Sequence, residues 1–168
     1  KNSRSVLQTY LGVDPARLVL QGKVQRGDVV SLNAVIWFSD LRGYTTKTRT
    51  LGDSQLIAHL NDYFGLVSSS VDPNGGQILK FIGDGVLVVF PLANDSNRKE
   101  VCERALAAAN ALQEKARAYS RRSELRGDPV IECGIGLHIG SVEYGNVGAL
   151  RRLDFTVIGA AVNLASRI

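Results

Sequence analysis

Two runs of β-forming residues, Ile78-Leu79-Lys80-Phe81-Ile82 and Val86-Leu87-Val88-Val89-Phe90, are separated only by Gly83-Asp84-Gly85. An Asp-Gly turn between two such runs makes the segment a β-hairpin, with a carboxylate at its tip. Upstream, Ala34-Val35-Ile36-Trp37-Phe38 is apolar without interruption, as expected of a central strand buried on both faces, and it stops at Ser39-Asp40. After a glycine-containing loop, Asp53 is placed to cap a helix in which Leu56, Leu60, Tyr63 or Phe64, and Val67 recur at helical spacing. Pro73-Asn74-Gly75-Gly76 then turns the chain into the hairpin.

Beyond the hairpin, a second helix is expected over residues 97–119, with Val101, Ala105, Ala108 and Leu112 on one face and Ser96 or Asn97 as its cap. The polar loop Arg126-Gly127-Asp128 leads to a glycine-laced strand over 130–139, a turn at Gly140 and a short strand at 142–144. A further strand spans 155–158, and a helix is expected over 160–168. This order predicts an α+β fold, a ferredoxin-like βαββαβ sandwich with additional hairpin strands and its helices on one face of the sheet. Residues 1–30 have weak periodicity. Two short helical pieces, LQTYLG and ARLVLQG, flank Val13-Asp14-Pro15 and read as a lead-in from an upstream region, leaving 31–168 as the domain proper.

At 168 residues the chain can bury one core without disulfides. Its 45% hydrophobic and 21% charged composition is that of an ordinary soluble protein. No apolar run is long enough to span a bilayer and the opening KNSRSVLQTY has no signal-peptide layout, so no membrane contact is expected within this segment. The net charge of +4 comes from scattered arginines such as Arg121-Arg122 and Arg151-Arg152, without a basic stripe, which argues against a nucleic-acid partner. Cys102 and Cys133 lack metal-ligand spacing and read as small buried thiols in a reducing cytosol.

Asp40 ends a buried strand and Asp84 lies at a hairpin tip, and a β-α-β-β order can bring both to one edge of the sheet. Paired carboxylates there suit Mg²⁺, which prefers a few carboxylates plus substrate phosphates, and two metals serve in-line displacement at phosphorus. Spacing alone leaves another reading open, in which Asp84 fills a turn and Asp40 caps the next helical turn. The loop Asp40-Leu41-Arg42-Gly43-Tyr44-Thr45-Thr46 can expose successive backbone N–H groups to phosphate oxygens. It is not a Walker loop, since no G-x-x-x-x-G-K-[ST] occurs, and Gly134-Ile135-Gly136 does not open a helix as a dinucleotide fingerprint requires.

Phe38-Ser39-Asp40-Leu41-Arg42-Gly43-Tyr44-Thr45, then Leu79-Lys80-Phe81-Ile82-Gly83-Asp84-Gly85-Val86, then Phe155-Thr156-Val157-Ile158-Gly159-Ala160-Ala161-Val162-Asn163-Leu164-Ala165-Ser166-Arg167 resemble, in order and spacing, the three signature blocks of class III adenylyl and guanylyl cyclases. The resemblance implies an adenylyl cyclase that converts ATP to 3′,5′-cyclic AMP and pyrophosphate. It implies that Asp40 and Asp84, helped by the backbone carbonyl of Leu41, hold two Mg²⁺ or Mn²⁺ ions. One metal would lower the pKa of the ribose 3′-hydroxyl and the other would clamp the triphosphate. Arg42, Gly43, Tyr44 and Thr45 fall in the loop assigned to phosphate contact. Asn163 and Arg167, four apart on the expected helix, would orient the ribose and neutralise the α-phosphate.

Base choice in that family falls on the positions of Lys80 and Thr156. Lysine can donate to adenine N1, whereas guanine N1 carries a hydrogen and favours a carboxylate, so ATP is expected over GTP. Thr156 in place of Asp also resembles the subgroup that includes bicarbonate-responsive soluble cyclases, which implies possible bicarbonate regulation. The family draws its metal aspartates from one subunit and the Lys, Thr, Asn and Arg from the partner, implying a homodimer with shared sites.

Two departures from the family pattern stand out. Many members carry an arginine just before the stretch that reads Gly136-Leu137-His138-Ile139-Gly140 here, where this chain has Cys133 and Gly134. Family domains also continue past the position of Ile168 for a strand pair bearing a lysine, so the domain is expected to be truncated at its C-terminus. The alternatives are a catalytically weak or silent nucleotide-binding and dimerisation module that regulates a neighbour, and a guanylyl cyclase, which Lys80 disfavours. The expected setting is the cytoplasm, as the output end of a longer, sometimes membrane-anchored, protein.

Overall fold

The computed structural model describes residues 3–11, 13–22, 27, 29–149 and 152–167. Strands β1 (Val29–Leu41), β2 (Gln77–Ile82), β3 (Gly85–Pro91), β4 (Cys133–Ala149) and β5 (Arg152–Ile158) form one antiparallel sheet in the order β2-β3-β1-β4-β5. The helices are α1 (Ser3–Leu11), α2 (Val13–Leu20), α3 (Tyr44–Thr50), α4 (Asp53–Val71), α5 (Arg98–Glu124) and α6 (Ala160–Ala165). This is the expected α+β arrangement, and β1 lies at its centre as its unbroken apolar run predicted. Trp37 stands opposite Val88 of β3 on one side and Leu137 of β4 on the other.

Strand alternation divides the core in two. On one face Val35, Trp37, Val86, Val88 and Phe90 pack against Tyr63, Val67 and Val71 of α4 and Val101, Ala105, Ala108 and Leu112 of α5. Each fully buried Val, Leu or Phe there contributes about 1.5–3 kcal/mol by leaving water. On the other face Ala34, Ile36, Leu87, Val89, Val142 and Val157 pack under Ala161 and Ala165 of α6. The helices therefore do not all lie on one face, because α6 crosses to the side that α4 and α5 leave open.

Several boundaries differ from expectation for identifiable reasons. The loop after β1 contains α3, and α4 starts from Gly52, whose backbone N–H donates to the Gln55 side chain (3.3 Å), so Asp53 lies in the first turn and is not the cap. The buried row of α4 is His59, Tyr63, Val67 and Ser70, while Leu56 and Leu60 are only half-buried. The helix α5 runs five residues beyond the predicted Tyr119, to Glu124. The expected turn at Gly140 does not occur, and β4 passes straight through it. A Cβ on Gly140 would lie 2.8 Å from the Ala161 Cβ, so this glycine serves the close approach of α6. The last helix stops at Ala165, and Arg167 follows in a turn with its N–H donating to the Leu164 carbonyl (3.0 Å). Ile168 lies outside the described residues. Among the described residues, no helix is long and apolar enough to cross a membrane.

Candidate active site

Asp40 continues the Ala34, Ile36, Phe38 series on the α6 face of β1 and is exposed. Ser39, one position earlier, faces α4 and stands opposite Val86, so the β1 terminus lies beside the β2–β3 turn that carries Asp84. The structure brings the two carboxylates to one end of the sheet. The buried hydroxyl of Tyr63 donates to Ser39 Oγ (2.9 Å), and burial above all, with smaller contributions from Cys133, Asp40 and Asp84 and against that hydrogen bond, pushes its pKa upward. Neither aspartate has an ion-pair partner among the described residues.

The side chain of Leu41 is buried in the α4/α5 core, so only its backbone is available to this end of the sheet. Arg42 donates its N–H to the Glu132 carbonyl (2.8 Å), which carries the β1–β4 pairing one residue past the strand ends. Its guanidinium lies over Gly134, where a Cβ would be 2.9 Å from Arg42 Nη2 and 3.1 Å from Asp40 Oδ1. Glycine at 134 thus leaves room for a cation beside the Asp40 carboxylate. Gly43, with φ 67°, precedes α3, whose first residues Tyr44 and Thr45 present N–H groups without intrahelical acceptors. Lys47 fixes this loop by donating to the carbonyls of Val130 (2.9 Å) and Arg42 (3.4 Å).

Two oxygen donors at a strand end and a turn fit a hard divalent ion that completes its shell with water and phosphate. Among the described residues no cluster of three or more His, Cys, Asp or Glu competes as a metal site.

Lys80 and Thr156 lie on β2 and β5, the two outer strands of the sheet. The sheet nevertheless coils enough for the two strands to meet, because Lys80 Nζ forms an ion pair with Asp154, two residues before Thr156 and on the same face of β5. Both partners are partly exposed, and such pairs contribute only about 0–1 kcal/mol to stability. Asn163 and Arg167 are both exposed, and Arg167 makes no ion pair among the described residues.

Over residues 28–168 the sequence matches the adenylate and guanylate cyclase catalytic domain family. The chain belongs to that family. An adenylate cyclase of Anabaena cylindrica is 36% identical over 145 residues, which is 86% of this chain but 28% of that protein, so the chain spans little more than a quarter of this curated relative. A bacterial light-regulated adenylyl cyclase superposes with a TM-score of 0.83 at 29% identity, covering 98% of this chain and 47% of that one. A guanylyl cyclase superposes at 0.72 with 34% identity, over 86% and 71% of the two chains.

Within this cyclase domain, sequence reasoning missed Asp154 and His59. Asp154 was legible in principle from the two-residue period of a strand, but its partner is 74 positions away on the opposite edge. His59 sits in a row whose apolar members drew the attention, and only packing shows that it is buried.

Proposed function

We propose that this chain is an adenylyl cyclase catalytic domain that converts ATP to 3′,5′-cyclic AMP and pyrophosphate at a site completed by a second copy of itself. What supports the reading is the end of β1, which carries Asp40, lying beside the β2–β3 turn that carries Asp84. These carboxylates, with the Leu41 carbonyl, are the residues that would hold two divalent ions. When bound, Mg²⁺ or Mn²⁺ would acidify the ribose 3′-hydroxyl and neutralise the triphosphate. The residues of the chain then position and stabilise, which is most of what phosphoryl transfer asks of a protein.

Arg42 and the N–H groups of Gly43, Tyr44 and Thr45 are assigned to the phosphates, as a guanidinium beside open N–H groups suits an oxyanion. Lys80, held by Asp154, is assigned to adenine N1, and the Thr156 hydroxyl to the exocyclic amine. Asn163 orients the ribose, and Arg167 neutralises charge gathering on the α-phosphate. Phe81, Ile82, Ile158 and Leu164 are each about half exposed, an apolar surface in the same stretches as the candidate residues. A second copy would cover them and set its Asn163 and Arg167 against the first copy's carboxylates.

The test is the protein with Mn²⁺ and either ATP or GTP, scored for cyclic nucleotide and pyrophosphate, beside Lys80→Glu. Cyclic AMP from ATP is expected, with Lys80→Glu moving the preference toward GTP. No cyclic product from either nucleotide would sink the catalytic reading, while cyclic GMP alone would overturn only the choice of base.

A further inference from the structure

The β1–β3 pairing ends where Ser39 stands opposite Val86, and the β2–β3 pairing closes on Ile82 and Gly85. Asp40 lies one residue beyond the first of these ends and pairs with Gly134 of β4, on the side of β1 away from the hairpin. Asp84 lies in the hairpin turn itself. Among the described residues no strand pairing joins Asp40 to that turn, so the spacing of the two carboxylates falls to side chains.

Three contacts set it. Phe38, two residues before Asp40, lies against Gly85, the neighbour of Asp84, where a Cβ would stand 2.9 Å from Phe38 Cζ. On the other face of the sheet, consecutive residues of α4 reach both strands. Tyr63 Oη donates to Ser39 Oγ (2.9 Å), and the Phe64 ring packs on Phe81 of β2, with ring centroids 4.4 Å apart. Phe81 is three residues before Asp84. Tyr63 is 0% and Ser39 1% exposed, at the edge of a mainly apolar cluster. Phenylalanine and alanine would fill nearly the same space with no hydroxyls to satisfy, so stability alone does not call for this pair. What the hydrogen bond adds is a fixed direction and length, where ring packing alone tolerates sliding.

Divalent ions are sensitive to such placement, since Mg²⁺ demands near-octahedral geometry and the residues that hold a ligand in place are felt in metal affinity. We propose that Tyr63 is a positioning residue for the metal end: through Ser39 it fixes the end of β1, and with it Asp40, against the turn that carries Asp84. The inference rests on the reading of Asp40 and Asp84 as metal ligands, and it adds a residue buried behind them.

The experiment titrates the full chain with Mn²⁺ alone and follows binding by electron paramagnetic resonance, without nucleotide and well below each melting midpoint. The variants are Tyr63→Phe, the double change Tyr63→Phe with Ser39→Ala, and Asp84→Ala. Tyr63→Phe is expected to weaken Mn²⁺ binding by roughly tenfold. It also leaves the Ser39 hydroxyl buried without its partner, so its melting midpoint should drop. The double variant loses both hydroxyls and should recover much of that midpoint while Mn²⁺ binding stays weak. Two results overturn the proposal while leaving the metal reading intact: Tyr63→Phe binding Mn²⁺ as tightly as the parent chain, or affinity returning with the midpoint in the double variant. If the parent chain binds no Mn²⁺, or Asp84→Ala binds it equally well, the metal reading fails and the proposal falls with it.

Discussion

The two faces of the sheet are built to different ends. The face under α4 and α5 is closed by large side chains, with Trp37, Tyr63, Phe90 and Leu112 fully removed from water. The opposite face is covered by a six-residue helix over small residues, Ala34, Ala161 and Ala165 among them, and it carries Asp40 and Lys80 at its open margins. Tight packing on one side supplies the stability that lets the other side remain partly open, with exposed carboxylates and half-exposed apolar side chains. The proposed chemistry lies where the fold is least covered.

The contrast can be broken most severely at the proposed metal end. Asp84→Ala should lower cyclic-nucleotide formation on the order of a thousandfold or more, since a metal ligand supplies several kcal/mol of charge stabilisation. Its thermal midpoint should stay near that of the parent chain, and a large drop in that midpoint would show that Asp84 is structural.

On the closed face the expected effects reverse. Leu112→Ala should cost about 2–5 kcal/mol and lower the melting temperature by roughly 5–15 °C, while turnover per folded molecule at low temperature changes little. Calorimetry together with a cold activity assay separates the two quantities.

Gly140→Val lies between these extremes, because its Cβ would meet Ala161 at 2.8 Å. Overpacking of this kind costs about 1–3 kcal/mol. Displacement of α6 carries Asn163 and Arg167 with it, so activity should fall by about tenfold or more, further than stability predicts. A variant that melts lower but turns over normally would show that α6 placement is unimportant.

The smallest effect should come from Cys133 at the edge of the closed face. Burial first and the Asp40 carboxylate second push its thiol from 9.0 up to about 11, with Arg42 opposing. The folded state therefore favours the neutral thiol. Its contribution to stability is full below pH 9.0 and is lost as pH climbs toward 11. Cys133→Ala should flatten that part of the stability profile in denaturant titrations at successive pH values, and an unchanged slope would contradict the assignment.

How much of this was legible beforehand depends on the range of the interaction. The hairpin around Asp84, the central strand ending at Asp40 and the apolar face of α5 follow from local periodicity, which is why they were found. Gly140 misled, because a glycine that allows a close approach and one that makes a turn look alike in sequence. The α6 crossing, the burial of His59 and the Arg42 guanidinium over Gly134 all depend on which elements face each other.

The amino-acid sequence by itself determined most of the elements, the order of the strands' apolar patterns and the three motif blocks that place the chain in the cyclase family. Tertiary structure alone decided that Asp40 and Asp84 share one end of the sheet, that Lys80 is held by Asp154 from the far edge, and that one face is only partly covered. Periodicity reports which side of an element is buried, whereas the coiling of the sheet and the packing of α6 decide what that side meets.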